Sequence, residues 1–310
     1  MSEATEKAVS DLKKIYSILL LLGFIGVGVL FYFFFDFSSM RFKNRLSDDL
    51  RDGTHMSVHF INVGAADGMY INCGDVNVVI DAGDFTLTNT ALEYLERQGV
   101  HKLDLAICSH PHLDHIGGMP DILRKMKVDR FIMPILPDNI LPVTKSYNDI
   151  LDVLQSKSIK VEQPIAGDTF SIGEMKFEIF APLNDYDNVN NYSVVVKVSF
   201  GKVSFLFTGD AQEESEHDML SKGYDLSADV LKVGHHGSKT STSGEFLKKV
   251  SPKYAVISSA PEPHGHPHKV IVNRLTDAKV NVLRTDTEGT IVCTTDGENI
   301  KVTTEQMQIK

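Results

Sequence analysis

Cysteine is scarce: Cys73, Cys108 and Cys293 are the only three in 310 residues. Three widely separated cysteines make neither a disulfide framework nor a close-spaced zinc cluster, and Cys108 lies in an apolar run, so all three read as buried thiols. Net positive charge is lacking as well. The chain holds 31 basic against 41 acidic residues, a formal −10, which argues against bulk attraction to nucleic acid or anionic lipid; a polyanion would need a local basic patch or bound metal. No tandem repeat of fixed period is visible. Histidine is missing from a long stretch, with none between His115 and His217. Six of the twelve histidines sit in three tight groups instead: His110, His112 and His115 form one, His235 and His236 a second, and the segment holding His266 a third. Clustered imidazoles are costly in a core, because each ring needs partners for two nitrogens. These groups therefore point to chemistry.

Charge is also absent from Ile15 to Phe35. About 21 residues at a rise of about 1.5 Å each can cross a hydrocarbon layer roughly 30 Å thick, so the run predicts a transmembrane helix. A cleaved signal peptide would have a shorter apolar region ending in small residues, whereas this one ends in FFFDFSSM. Lys7, Lys13 and Lys14 precede the span, and Arg41, Lys43, Arg45 and Arg51 follow it, so charge alone leaves the orientation open. The short amino-terminal flank suits a single-pass cell-membrane protein with its main domain outside the cytoplasm. The expected organisation is a flank over 1–14, an anchor over 15–35, a polar tether over 36–55 and one catalytic domain over 56–310, with ample apolar material for its core.

Within that domain, SVHFINV, MYINC and NVVIDAG read as strands of an antiparallel meander, and TLTNTALEYLERQGV as a helix stopped at Gly99. LDLAICS follows as a buried strand. A second strand-rich block runs TFSI, MKFEIFAP, YSVVVKVSF and VSFLFTGD, with Gly201 and Lys202 as the hairpin turn between the last two. Strands and helices then alternate through DVLKVG, SGEFLKKV, YAVISS, KVIVNRLTD, VNVLR, GTIVCTT and NIKVTT. Two strand-rich halves, each with helices, fit an α/β sandwich of two sheets covered by helices, αββα. The acidic segment AQEESEHDMLSKG reads as a helix with a solvated face.

SHPHLDHIGG places His110, His112, Asp114 and His115 within six positions, after an apolar strand and before a Gly-Gly turn. Imidazole and carboxylate suit zinc, manganese or iron, and a sharp loop at a strand end can turn several of them toward one point. His110 and His112 are expected to serve one metal, and Asp114 and His115 a second. Lys239 to Ser243 follow GHHGS and precede a helix, so they supply either an anion site or an ordinary capped helix start. Asp67 and Asp81 are candidates to orient ligand histidines by accepting their second N–H.

The H-x-H-x-D-H segment resembles the signature of the metallo-β-lactamase superfamily. VVIDAG (Val78 to Gly83) and FLFTGD, ending at Asp210, extend the likeness. A narrower resemblance joins HFINVGAADGMYI, LKVGHHGSKTSTS, HGHPH and RTDTEGTI to the hydrolase domain of ComEC-type competence proteins, over roughly Ser57 to Val302. It implies two divalent ions, Zn2+ or Mn2+, with Asp210 bridging them and His235 completing the second site. His236 is implied as a further ligand, proton donor or substrate contact, and His266 as an active-site acid or phosphate contact. His264 and His268 are expected at the surface. The chain departs from the family at Asn62, Ala65 and Ala66, and it lacks the third histidine that many members place between the first loop and the bridging aspartate; it has Asn190 to Ser193 there instead.

The activity so implied is phosphodiester hydrolysis, with single-stranded DNA as a candidate substrate, Asp114 and Asp210 holding the nucleophile, and His266 or His236 protonating the leaving oxygen. A cell-surface phosphodiesterase similar to the phosphorylcholine esterase of teichoic acid is a second reading. A non-catalytic metal-binding scaffold is a third.

Overall fold

Each half of the chain starts as an antiparallel meander and ends as parallel strands, because the connections lengthen from tight turns to helices. The computed structural model describes residues 53–84, 91–260 and 265–305. In the first half β1 (Met56–Phe60), β2 (Gly68–Cys73) and β3 (Val76–Ala82) pair antiparallel. Then β5 (Leu105–Ile107), β7 (Phe131–Ile132) and β8 (Val161–Glu162) add in parallel, while β4 (Lys102–Leu103) and β6 (Lys127–Val128) pair with each other. In the second half β9 (Thr169–Ile172), β10 (Met175–Ala181), β11 (Val195–Phe200) and β12 (Val203–Phe207) are antiparallel, and β13 (Val230–Lys232), β14 (Tyr254–Ile257) and β15 (Asn281–Arg284) follow in parallel. β16 (Ile291–Thr295) and β17 (Ile300–Thr304) return to the first sheet beside β1. Among the described residues the sheets run β17-β16-β1-β2-β3-β5-β7-β8 and β15-β14-β13-β12-β11-β10-β9.

Strand alternation decides which side chains meet between the sheets. Val78 and Ile80 of β3 enter the inter-sheet core with Phe177, Val196, Phe205 and Phe207 of the second sheet. Val79, one position out of phase, faces the helical layer instead. Phe60 and Phe207 stack across the sandwich with ring centroids 6.1 Å apart. Burying a side chain of that size contributes roughly 1.5–3 kcal/mol. The first outer layer holds α1 (Ala91–Arg97), α2 (Leu113–Ile116), α3 (Met119–Lys125) and α4 (Lys145–Ser156). The second holds α5 (Glu213–Ser221), α6 (Gly244–Val250) and α7 (Lys269–Asp277). The result is the αββα sandwich expected from the sequence, with mixed rather than purely antiparallel sheets.

Gly201 does form the β11–β12 turn, at φ +59°, and a Cβ there would lie 2.7 Å from Gly297 Cα. All three cysteines are buried thiols. One expectation fails: α5 is not simply a solvated face, because Ser215, Glu216 and Met219 are buried. The anchor predicted over 15–35, its flank and most of the tether lie outside the described residues. Among the described residues no helix is long and apolar enough to cross a membrane.

Candidate metal centre

The parallel strands of both sheets deliver their carboxyl-terminal loops to one edge of the sandwich, where open sheets present their ligand sites. From β5 the chain runs through Cys108, Ser109 and His110 into the short helix α2, which carries Asp114 and His115. Its close seat on β3 depends on Gly118, whose Cβ would lie 2.4 Å from the Ala82 carbonyl oxygen. That proximity brings Asp81, at the end of β3, under the loop. Asp81 Oδ1 accepts the Ser109 N–H at 2.7 Å, and Oδ2 accepts the Ser109 hydroxyl at 2.7 Å and faces His115 Nδ1 at 2.8 Å. Asp81 sits at φ +57°, and His235 and His236 at +49° and +52°. For non-glycine residues this is strained backbone of the sort that persists where surrounding contacts fix it.

From the second sheet, Asp210 follows β12 and the His235–His236 pair follows β13. Ser193, at the end of the turn that leads into β11, donates or accepts at His110 Nδ1 (3.3 Å) and accepts the Asp210 N–H (2.9 Å). Asn190, in the same turn, is buried with its Oδ1 left without a hydrogen-bond partner. Three groups of ligand atoms lie within 4.8 Å of one another; Asp67, Asp81 and His115 form one, behind the His115 ring, and the other two are His110, His112 and Asp210, and Asp114, His115, Asp210 and His236. Asp210 is common to both, with Oδ2 3.8 Å from His110 Nε2 and Oδ1 3.2 Å from His115 Nε2.

The donor set fits a pair of dications. His115 Nε2, His236 Nε2 and Asp210 Oδ1 are buried without a hydrogen-bond partner, yet they converge with Asp114 on one point. Buried polar atoms are rarely left this way without a ligand to meet. The electrostatics agree. Burial opposes the charge on Asp210, but His115, His236 and His110 outweigh it and hold its carboxyl well below the usual range. Burial likewise opposes protonation of His115, but Asp210, Asp81 and Asp114 raise its pKa well above the ordinary value. His236 is raised by Asp67, Asp210 and Asp114 against the same burial. His110, His112 and His235 are lowered, chiefly by burial, which favours the neutral imidazole a metal binds. Dense buried carboxylate of this kind calls for positive charge at its centre.

The geometry separates the two neighbouring histidines. The sequence reading put His235 at the second centre, whereas the structure groups His236 there with Asp114, His115 and Asp210. His235 is partly exposed, its Nε2 3.6 Å from Asp210 Oδ2 on the side of that carboxylate that faces His110. Both residues lie in a left-handed turn, so adjacent rings are sent in different directions. His266 lines one pocket with Ala65, Asp114, His235, His236, Ser238 and Ser259, and its ring lies 5.7 Å from that of His235. His268 is half-buried and caps α7 by accepting the Val270 N–H at 3.3 Å, and His264 lies outside the described residues. The loop after GHHGS is an ordinary capped start rather than an anion site: Glu216 takes the N–H groups of Thr242 and Ser243, and Ser243 caps α6.

A profile of the metallo-beta-lactamase superfamily matches residues 62–260. The chain belongs to the metallo-β-lactamase superfamily. Its curated relatives include competence proteins of the ComEC type. "ComE operon protein 3" of Bacillus subtilis (strain 168) is 32% identical over 254 residues, covering 76% of this chain and 32% of that protein. "Competence protein ComA" of Neisseria gonorrhoeae is 28% identical over 235 residues, covering 74% of this chain and 31% of that protein. The chain thus spans about a third of the length of the curated relatives it matches. The metallo-beta-lactamase fold protein YhfI from Bacillus subtilis superposes with a TM-score of 0.51 at 14% identity, over 76% of this chain and 98% of that one, which shares the fold. The superfamily makes this chain a hydrolase whose His and Asp clusters can bind metal. Three contributors to the site were not singled out from sequence: Ser109, Glu216 and Lys232. The last had a faint signal, a lysine ending an otherwise apolar strand one residue before GHHG.

Proposed function

We propose that the chain is a membrane-tethered, two-metal phosphodiesterase acting on single-stranded DNA. The observation that carries this reading is the shared carboxylate: Asp210 faces two separate groups of imidazoles, as a bridge between two cations must. Zn2+ or Mn2+ ions held by His110, His112 and Asp210, and by Asp114, His115, Asp210 and His236, would acidify water and neutralise charge building on phosphoryl oxygens. His235 stands beside the first group, in place of the third histidine that the chain lacks earlier. Asp114 is the accessible carboxylate, with its side chain 37% exposed, and orients the attacking water from the pocket floor. His236 is committed to the cluster, so His266, across the pocket, is left to protonate the departing oxygen. Ser238 and Ser259 line the same pocket and supply neutral polar contacts.

Among the described residues no lysine or arginine lines this pocket, so phosphate affinity falls to the metals, in keeping with the net charge. The name of the gonococcal relative, a competence protein, favours DNA. The uncharged run over 15–35 supports a single-pass anchor, and the short flank before it a hydrolase domain outside the cytoplasm. The test is turnover of single-stranded DNA, bis-p-nitrophenyl phosphate and a phosphorylcholine ester by the full chain with Mn2+ or Zn2+. Cleavage of DNA and the nitrophenyl diester is expected. Turnover of the choline ester alone assigns a cell-surface esterase, and bound metal without turnover of any of them assigns a scaffold. Protease accessibility in intact cells tests the orientation.

A further inference from the structure

Lys232 ends β13 fully buried, at 0% exposure, beneath the metal centre. Its ammonium lies 2.9 Å from Asp67 Oδ2 and donates to the Val233 carbonyl at 2.9 Å. Asp67 is equally buried. Its Oδ1 is 3.5 Å from His236 Nδ1, and its Oδ2 is 3.9 Å from His115 Nδ1. Its backbone is bound on both sides as well: the Asp67 N–H donates to the Asp114 carbonyl at 2.9 Å, and its carbonyl accepts the Gly83 N–H at 2.7 Å.

Replacing a buried ion pair by apolar side chains of similar volume is often neutral or stabilising, so fold stability gives little reason to place one here. The location supplies a reason. Val233 is the last residue before the strained GHHG turn, and Asp67 is wedged behind the two imidazoles whose Nε2 atoms face Asp114 and Asp210. We propose that Lys232 is a positioning residue for the second metal centre: it locks the entry to the GHHG turn through Val233 and holds the Asp67 charge behind His115 and His236, reinforcing Asp81 and the Ser258 carbonyl, which face the two Nδ1 atoms, so that both rings present Nε2 to the cation. The proposal rests on the two-metal reading above. Groups that orient metal ligands from behind are worth about 10–100-fold in metal affinity.

The experiment is a titration of the full chain with Mn2+, following the free ion by electron paramagnetic resonance, together with thermal unfolding of the metal-free proteins. Wild type, Lys232→Met and the double variant Asp67→Asn/Lys232→Met are compared. The wild type is expected to take up two equivalents. The double variant is expected to melt within a few degrees of wild type and to bind one of the two equivalents about 10–100-fold more weakly. Lys232→Met alone leaves a buried carboxylate uncompensated and is expected to melt earlier than the double variant. A double variant that binds both equivalents as wild type does overturns this inference alone. So does one that fails to fold, which would make the pair structural. A wild type that binds fewer than two equivalents overturns the two-metal reading, and this inference with it.

Discussion

His59 and His115 are both buried histidines, at 7% and 0% exposure, and they differ in what their nitrogens meet. His59 lies in the layer between the first sheet and its helices, with Nδ1 2.7 Å from the Tyr94 hydroxyl and Nε2 2.9 Å from the Ser57 hydroxyl. Both nitrogens are satisfied, and burial pushes its pKa down to about 4. His115 has Nδ1 on Asp81, but its Nε2 makes no hydrogen bond and faces two carboxylates. His236 repeats the pattern, with Nδ1 3.1 Å from the Ser258 carbonyl and Nε2 without a hydrogen-bond partner. Burial alone therefore does not separate a structural histidine from a functional one. An oriented ring with one nitrogen left for a ligand does.

Substitutions on the two sides of this contrast should behave oppositely. The largest effect is expected at the cluster: His112→Ala should lose metal and lower turnover by at least about 10^3-fold, since metal chemistry supplies several kcal/mol and each 1.36 kcal/mol is tenfold. Metal content by mass spectrometry alongside kinetics checks both losses, and full activity in this variant would break the contrast. Next comes the pH dependence of His59. Its folded value of about 4 lies below the ordinary histidine value of 6.5, so between these values the unfolded chain takes up a proton that the folded chain refuses. Its contribution to stability is whole above pH 6.5 and falls by about 3 kcal/mol as pH drops toward 4. Denaturant unfolding of wild type and His59→Gln from pH 7 to 4 should show the difference, with Mn2+ affinity unchanged by the substitution. Asp81→Asn keeps the shape but weakens the acceptor behind His115, and should cost about 10–100-fold in metal affinity, measured by calorimetry. The smallest effect is expected at Ser243→Ala, which removes the cap of α6 at a cost of about 1 kcal/mol, read from denaturant midpoints, with turnover retained.

The sequence made the loop from His110 to His115 legible because four ligand types follow one apolar strand and precede a Gly-Gly turn. Asp210 was legible for a similar reason, as the acid that ends FLFTGD. Fold class was readable from strand and helix order, since the antiparallel starts and parallel ends follow from connection length. His235 and His236 could not be told apart, because adjacent residues in a left-handed turn diverge by backbone geometry that composition does not encode. Glu216 and Lys232 were hidden for a different reason. Acids and lysines are ordinarily solvated, and only the fold reveals that one holds the loop beyond GHHG while the other sits under the centre.

The most direct test of the two-centre account is anomalous diffraction from crystals of the hydrolase grown with Mn2+. Two peaks about 3.5–4 Å apart are predicted, on either side of Asp210, one beside His110 and His112 and the other beside Asp114, His115 and His236. A single peak, or manganese bound away from Asp210, would contradict it.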